Sequence, residues 1–266
     1  MNGAVSADIR ILQSNLSVKK LYLIAIAYIC ILNILSKVNT INIMCKSNVL
    51  HDDMGNDHIG TSDHTPLRDD AFKLSDEEKI ASIKKDVENI LNTLGMDLTD
   101  DSLKSTPNRV AKMFVKEMFG GLNPAKKPSS STFENKYKYG EMLVEKNIVV
   151  YSTCEHHLLP IVGRAHVAYI SNGTVVGLSK MNRIVDYYAK RPQVQERLTI
   201  QIVEELKRVL NTEDVACIID AKHLCVNSRG IKDIESSTVT AEYGGAFKKE
   251  NVRKELLNYI QLETKF

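Results

Sequence analysis

The sequence predicts an α+β domain, an antiparallel sheet with helices on one face, preceded by an N-terminal helical region. Three observations carry this expectation. Apolar residues recur at helical spacing between about Leu74 and Gly121. From about Glu141 the pattern changes to period two in β-rich runs, MLVEKNIVVYS and then VGRAHVAYIS. The elements follow in the order α-α-β-β-α-α-β-β-α, which places strands in antiparallel pairs and groups the helices together.

Each element has a local reason. Ser75 followed three residues later by Glu78 is a capping box, after which Ile80, Ile83, Val87, Ile90, Leu91 and Leu94 keep helical spacing up to Gly95. Thr106-Pro107 opens a second helix carrying Val110, Met113, Phe114 and Met118, which stops at Gly120-Gly121. A loop with Pro124, Pro128 and a serine run leads to the strands, and Asn172-Gly173 marks a turn between them. Helices are predicted from Lys180 to about Lys190 and from about Pro192 to Leu210, the second with Val194, Leu198, Ile202, Leu206 and Val209 on one face. Strands resume at Val215–Ala221 and Ser237–Phe247, and a last helix spans about Asn251 to Leu262.

The remaining composition narrows the class. A chain of 266 residues with 43% apolar and 26% charged residues is an ordinary globular protein, not a disordered chain, a collagen-like fibre or a polytopic membrane protein. A net charge of +2 supplies no surface-wide basic field, so no nucleic-acid partner is expected. Five cysteines in this length do not make a disulfide framework; metal ligation or core burial suits them better.

The first seventy residues differ from the rest. Residues 1–45 contain the apolar run Leu21–Leu35 behind Lys19 and Lys20. It is shorter than the roughly 20 residues that span a bilayer, and Ser36-Lys37-Val38 offers no signal-peptidase site. The segment reads as targeting or anchoring, or as untranslated if the true start is Met44 or Met54; membrane contact is expected only if it is present and functional. Residues 46–73 read as a disordered polar linker, in which His51, His58 and His64 are solvated. Residues 74–266 read as the ordered domain, with a helical part at 74–125 and a sheet part at 140–266.

Two clusters could carry chemistry. In Cys154-Glu155-His156-His157, a Cys and a His three apart have a common metal-ligand spacing. In His223-Leu224-Cys225, residues two apart in an extended segment share a face. Cys154, His157 and Cys225 together suit Zn²⁺ with a fourth position open to water, whose pKa the ion lowers towards roughly 7. A structural zinc closed by a fourth ligand, or no metal, are the alternatives on spacing alone. His156 and His223 are then left over beside the metal, where they could shuttle protons or serve a purely structural role. Cys217 alternates with Val215 and Ile219 and reads as a core thiol, and His166 as a structural histidine in a strand.

Further on, Ser179 looks like an N-cap, with Lys180 and Arg183 sharing a face where a phosphate would meet both. A solvated basic helix start is the plainer reading. Arg229, Lys112 and Arg109 could add cations. Glu196, at the start of the longest helix, could accept two N–H bonds from guanine or simply favour the helix dipole.

Taken together, STPNRVAK, STCEHH, GLSKMNRIV, RPQVQERLT and DAKHLCVNSRG, in this order, resemble the GTP cyclohydrolase I family from about Leu74 to the C-terminus. The resemblance implies the tunnelling fold, with subunit sheets joined in rings of five and two rings stacked as a homodecamer. It implies Cys154, His157 and Cys225 as zinc ligands, His156 and His223 as proton-transfer groups, and Glu196 on guanine with Gln195 beside it. Ser179, Lys180, Arg183 and Arg229 would lie around the triphosphate and ribose, with Lys112 and Arg109 reaching in from a neighbouring subunit. The implied reaction opens the purine of GTP, releases formate and yields 7,8-dihydroneopterin triphosphate. A tunnelling-fold relative with another substrate and a catalytically dead assembly subunit are the rivals, and zinc-bound thiolates fit a reducing cytoplasm.

Overall fold

The computed structural model describes residues 62–129 and 131–263. The apolar run Leu21–Leu35, His51, His58 and the first part of the expected linker lie outside the described residues. Within 62–73 the chain is already tied to the domain. The Ser62 carbonyl accepts from Arg197 Nε at 2.8 Å, and Thr65 Oγ1 accepts from Arg191 and Gln201 at 3.3 and 3.4 Å. Among the described residues, no helix is long and apolar enough to cross a membrane.

Helix α1 spans Asp76–Thr93. Both halves of its capping box are formed: Ser75 Oγ accepts from the Glu78 amide at 3.2 Å, and Glu78 Oε2 accepts from the Ser75 amide at 2.8 Å. Hydrogen bonds from the Ser75 amide and hydroxyl hold the Glu78 carboxyl below its ordinary range. Helix α2, Thr106–Met113, runs into a π turn at Phe114–Met118 and stops at the glycine pair. In α1 only Ile80 is buried, whereas Ile90 and Leu94 are 55% and 71% exposed.

Beyond α2 the chain forms strand β1 (Thr132–Glu134), β2 (Met142–Cys154), β3 (Pro160–Ile170) and β4 (Thr174–Val176). Helix α3 (Leu178–Ala189), strand β5 (Pro192–Gln193) and helix α4 (Gln195–Leu210) follow. The last elements are β6 (Val215–His223), the single turn α5 (Leu224–Asn227), β7 (Thr238–Tyr243) and α6 (Glu250–Gln261). The main sheet has the order β5-β2-β3-β6-β7, antiparallel except for the short β5–β2 pairing, and β1 pairs with β4.

Several expected boundaries shift. The helix expected from Pro192 starts at Gln195, because Pro192 and Gln193 pair with Thr153 and Cys154 of β2. Ser179 is not the N-cap of α3: Gly177 is, and Ser179 is exposed in the first turn. The strand expected to reach Phe247 ends at Tyr243, where a 3-10 turn at Gly245–Lys248 buries Phe247 instead.

The helices also divide between the two faces of the sheet. α3 and α4 cover one face, over a core that includes Ile148, Val150, Val167, Tyr169, Leu198, Ile202, Cys217 and Ile219. α6 covers part of the opposite face, where Leu256 and Phe247 pack with Met142, Ala168, Ala216 and Ile218. A β-bulge fits the residues of β2 to this division. Between Glu145 and Ile148 strand β2 advances one residue more than β3, and Asn147 takes φ +61°. One extra residue inverts the alternation of a strand. Met142 therefore faces α6, while Ile148, Val150 and Cys154 face α3 and α4.

One close approach requires glycine. A Cβ on Gly163, between Val150 and Ala221 in register, would stand 2.1 Å from the Asp220 carbonyl oxygen, far inside contact distance. The approach draws β6 against β3 just before His223. Cys217 is fully buried, as expected of a core thiol, and burial pushes its pKa up. His166 Nδ1 accepts from the Asn147 amide at 3.4 Å, at the bulge.

Candidate active site

The sheet brings three chain ends together. β2 ends at Cys154, β3 begins just after the intervening loop, and β6 ends at His223, whose register partner on β3 is Ile161. Ile161 also pairs with Ser152, so β3 holds the other two strands in line. The loop after β2 is closed at its base by hydrogen bonds between Cys154 and Leu159 (2.8 Å) and between Leu158 and Cys154 (2.9 Å).

At this end of the sheet, ligand atoms of Cys154, His223 and Cys225 lie within 4.8 Å of one another. Cys225 does not reach the cluster by strand alternation, as its spacing suggested. It sits in the helical turn α5, which folds back directly after His223. Burial, the neighbouring Cys154 charge and a hydrogen bond with Cys154 push the Cys225 thiol up to about 11. Two converging sulfurs beside an imidazole are a soft donor set, and a dication is what would draw protons from such thiols. His157, the imidazole expected among the ligands, is outside that group of three, but its Nδ1 is buried and has no hydrogen-bond partner among the described residues. These residues fit a zinc-class ion.

The groups around the cluster are fixed by the start of α4. Gln195 is 1% exposed, and its Oε1 lies 2.8 Å from His223 Nε2. Glu196, the next residue, is exposed, and its charge favours the protonated form of His223, while burial is the larger effect and lowers that pKa. His156 is exposed, with Nδ1 3.5 Å from Cys154 Sγ.

Sequence reasoning missed Arg197. Its guanidinium is 3% exposed and grips Glu155 through two hydrogen bonds of 2.6 and 3.2 Å, while Nε donates to the Ser62 carbonyl. Glu155 stands between Cys154 and His156, so this pair clamps the loop to α4. Removing one partner of a buried pair strands the other charge. Arg197→Ala is expected to cost about 3–5 kcal/mol in urea unfolding, and a loss below about 1 kcal/mol would refute the clamp. The one sequence signal was an Arg in the first turn of the helix, directly beside its apolar stripe.

Lys180 and Arg183 do come together. They line a cavity of about 340 Å³ with Lys116, Lys126 and Lys190, and Asp186 is the only acidic lining residue among the described residues. Lys180 Nζ donates to Ser129 Oγ at 3.3 Å. Arg109 and Lys112 are exposed on α2 and do not line this cavity, and Arg229 is half-buried beyond α5.

Comparison with known proteins settles the family. The model of the family described as GTP cyclohydrolase I matches residues 83–261. The chain belongs to the GTP cyclohydrolase I family. A protein named GTP cyclohydrolase 1 from Flavobacterium johnsoniae is 75% identical over 215 residues, covering 81% of this chain and 96% of that one. Its namesake from Vibrio cholerae is 54% identical over 171 residues, 64% of this chain and 79% of that one. The one from Citrobacter koseri is 48% identical over 198 residues, 74% of this chain and 89% of that one. The chain is an enzyme of the GTP cyclohydrolase I family, and every candidate residue from Arg109 to Arg229 lies inside the matched stretch. Ser62 and Thr65, which tie down Arg197 and Arg191, lie before it.

Proposed function

We propose that this enzyme opens the imidazole ring of GTP hydrolytically, releases C8 as formate and recloses the remainder as 7,8-dihydroneopterin triphosphate, the entry to folate or tetrahydrobiopterin synthesis. The observation that carries the reading is the meeting of the Cys154 and Cys225 thiols beside His223 at the sheet end of a chain matched along most of its length by the GTP cyclohydrolase I family. Cys154, Cys225 and His157 would hold zinc, the orphaned Nδ1 of His157 being the atom that needs such a partner. Bound there, zinc lowers the pKa of water to about 7 and makes a nucleophile available at neutral pH.

The remaining roles belong to the chain itself. Glu196 accepts from N1–H and N2–H of guanine, orienting the base from the start of α4. His223 delivers a proton to purine N7, which makes C8 electrophilic. His156 and Ser179 relay protons while the ribose opens, rearranges and closes on the freed amine. Lys180, Arg183 and Arg229 hold the triphosphate, a remote handle whose binding keeps the base in place. Arg109 and Lys112 act from a neighbouring subunit.

That last role requires assembly. We read the architecture as the tunnelling fold, closed into five-membered rings that stack as a homodecamer. Among the described residues β7 has one sheet partner and an open edge, Tyr151 is 68% exposed on the sheet, and Ile90 of α1 and Leu94 just after it are uncovered. A monomer by sedimentation at micromolar protein would overturn this assembly. The paired thiols suit a reducing compartment, and we place the catalytic domain in the cytoplasm.

The deciding assay uses the purified full chain with GTP and zinc. Formate and, after oxidation, a fluorescent pterin should appear in equal amounts. A pterin without formate, or neither product, contradicts the reading.

A further inference from the structure

We infer that Gln195 is a positioning residue for His223 rather than a contact for the substrate, and that it fixes the ring of that histidine in the tautomer with hydrogen on Nε2. The inference rests on the proton-transfer role assigned to His223 above.

The argument begins with the orientation of the Gln195 amide. Its Nε2 lies 2.8 Å from the Thr238 carbonyl oxygen, 3.1 Å from the Ile219 carbonyl oxygen and 3.2 Å from Thr240 Oγ1. Turning the amide over would set its oxygen against two carbonyl oxygens, neither able to donate. The amide is therefore held with Nε2 towards β6 and β7 and with Oε1 towards His223. The surroundings stiffen it further. Thr199 Oγ1 donates to the Gln195 backbone carbonyl at 2.8 Å, which leaves Thr240 as the donor in the 2.7 Å contact between the two threonine hydroxyls. Gln195 is almost wholly buried, so water cannot substitute for any of these partners.

An amide oxygen only accepts. At 2.8 Å from Gln195 Oε1, His223 Nε2 must carry hydrogen. The lone pair of the neutral ring is then confined to Nδ1. The ring is thereby held in one orientation and in one tautomer. A wrong tautomer in a correctly placed ring is costly, because the lone pair and the proton then face the wrong groups. Gln195 is 1% exposed, both its amide hydrogens are directed at the sheet and Oε1 faces His223, an arrangement that serves the ring and not a base in the open site.

Two measurements test this. The first uses the unaltered protein, labelled with ¹⁵N-histidine and sedimented for solid-state NMR, with His223→Ala to assign the signal. The neutral His223 ring should show Nε2 protonated and Nδ1 bare; the opposite tautomer overturns the proposal whatever any variant does. The second uses Gln195→Leu, which removes the acceptor. It should populate both tautomers and lower kcat by about 10–100-fold, with KM for GTP and zinc content close to those of the parent. A rise in KM at unchanged kcat would make Gln195 a substrate contact and sink the inference. If Gln195→Leu does not fold, the first measurement still decides. Should His223→Ala itself turn over GTP at the parent rate, the role of His223 is wrong, an outcome separate from a failure of Gln195 to set the tautomer.

Discussion

Cys225→Ala is expected to purify without stoichiometric zinc and to lose ring opening down to the background rate. Cys225 reaches the cluster from a turn that follows β6, while Cys154 arrives from the end of β2. With Cys225 gone, a single sulfur and an imidazole remain, and two donors do not retain zinc against dilution or a chelator. The nucleophile then costs what it costs in bulk water, whose pKa lies far above neutrality. The scaffold should survive, because Cys225 is only partly buried and packs at the margin of the core. Circular dichroism close to the parent with zinc below about a tenth of stoichiometry is the expected pair of results. Stoichiometric zinc in elemental analysis of Cys225→Ala would remove it from the ligand set. Cys217→Ala is the control: that thiol lies in the core between the sheet and α4 and should have no influence on zinc content.

The second large effect separates the two histidines. His223→Ala should keep its zinc and lose about 10²–10⁴-fold in kcat, the range for a general acid or base. His157→Ala should lose the ion together with the activity. The structure makes this contrast informative, because His223 and not His157 shares the 4.8 Å cluster with the two cysteines, while His157 has the buried, unpartnered nitrogen. Elemental analysis of both variants, beside formate release, decides it. Zinc retained in His157→Ala and lost in His223→Ala would exchange the two roles, and with them the proton-transfer step assigned to His223.

Much of this was legible in the chain because it depends on short-range patterns. The capping box at Ser75, the apolar stripe of α4 and the alternation of β6 are local, and the structure reproduces all three. The ligand types in Cys154-Glu155-His156-His157 and His223-Leu224-Cys225 were legible as chemistry, and the family as an ordered set of motifs. Other features were not. Gln195 and Glu196 read as neighbours with a shared task, yet α4 turns one inward to His223 and leaves the other exposed. Arg197 and Glu155 are 42 positions apart, and no local rule pairs them. Ser179 has the chemistry of an N-cap, but the backbone of Gly177 takes the capping position two residues earlier.

The amino-acid sequence by itself determined where the long helices and strands lie, which residues could bind a metal or a phosphate, and to which family the motifs pointed. These follow from periodicity and side-chain chemistry, which act over a few residues. Tertiary structure alone decided on which face each residue of β2 lies. Strict alternation would have set Met142, Ile148 and Cys154 on one side, but one extra residue at the bulge sends Met142 towards α6 and Cys154 towards the buried face. Side-chain alternation along a strand is counted from its hydrogen-bonded partner, and that partner, β3, becomes known only when the sheet has formed.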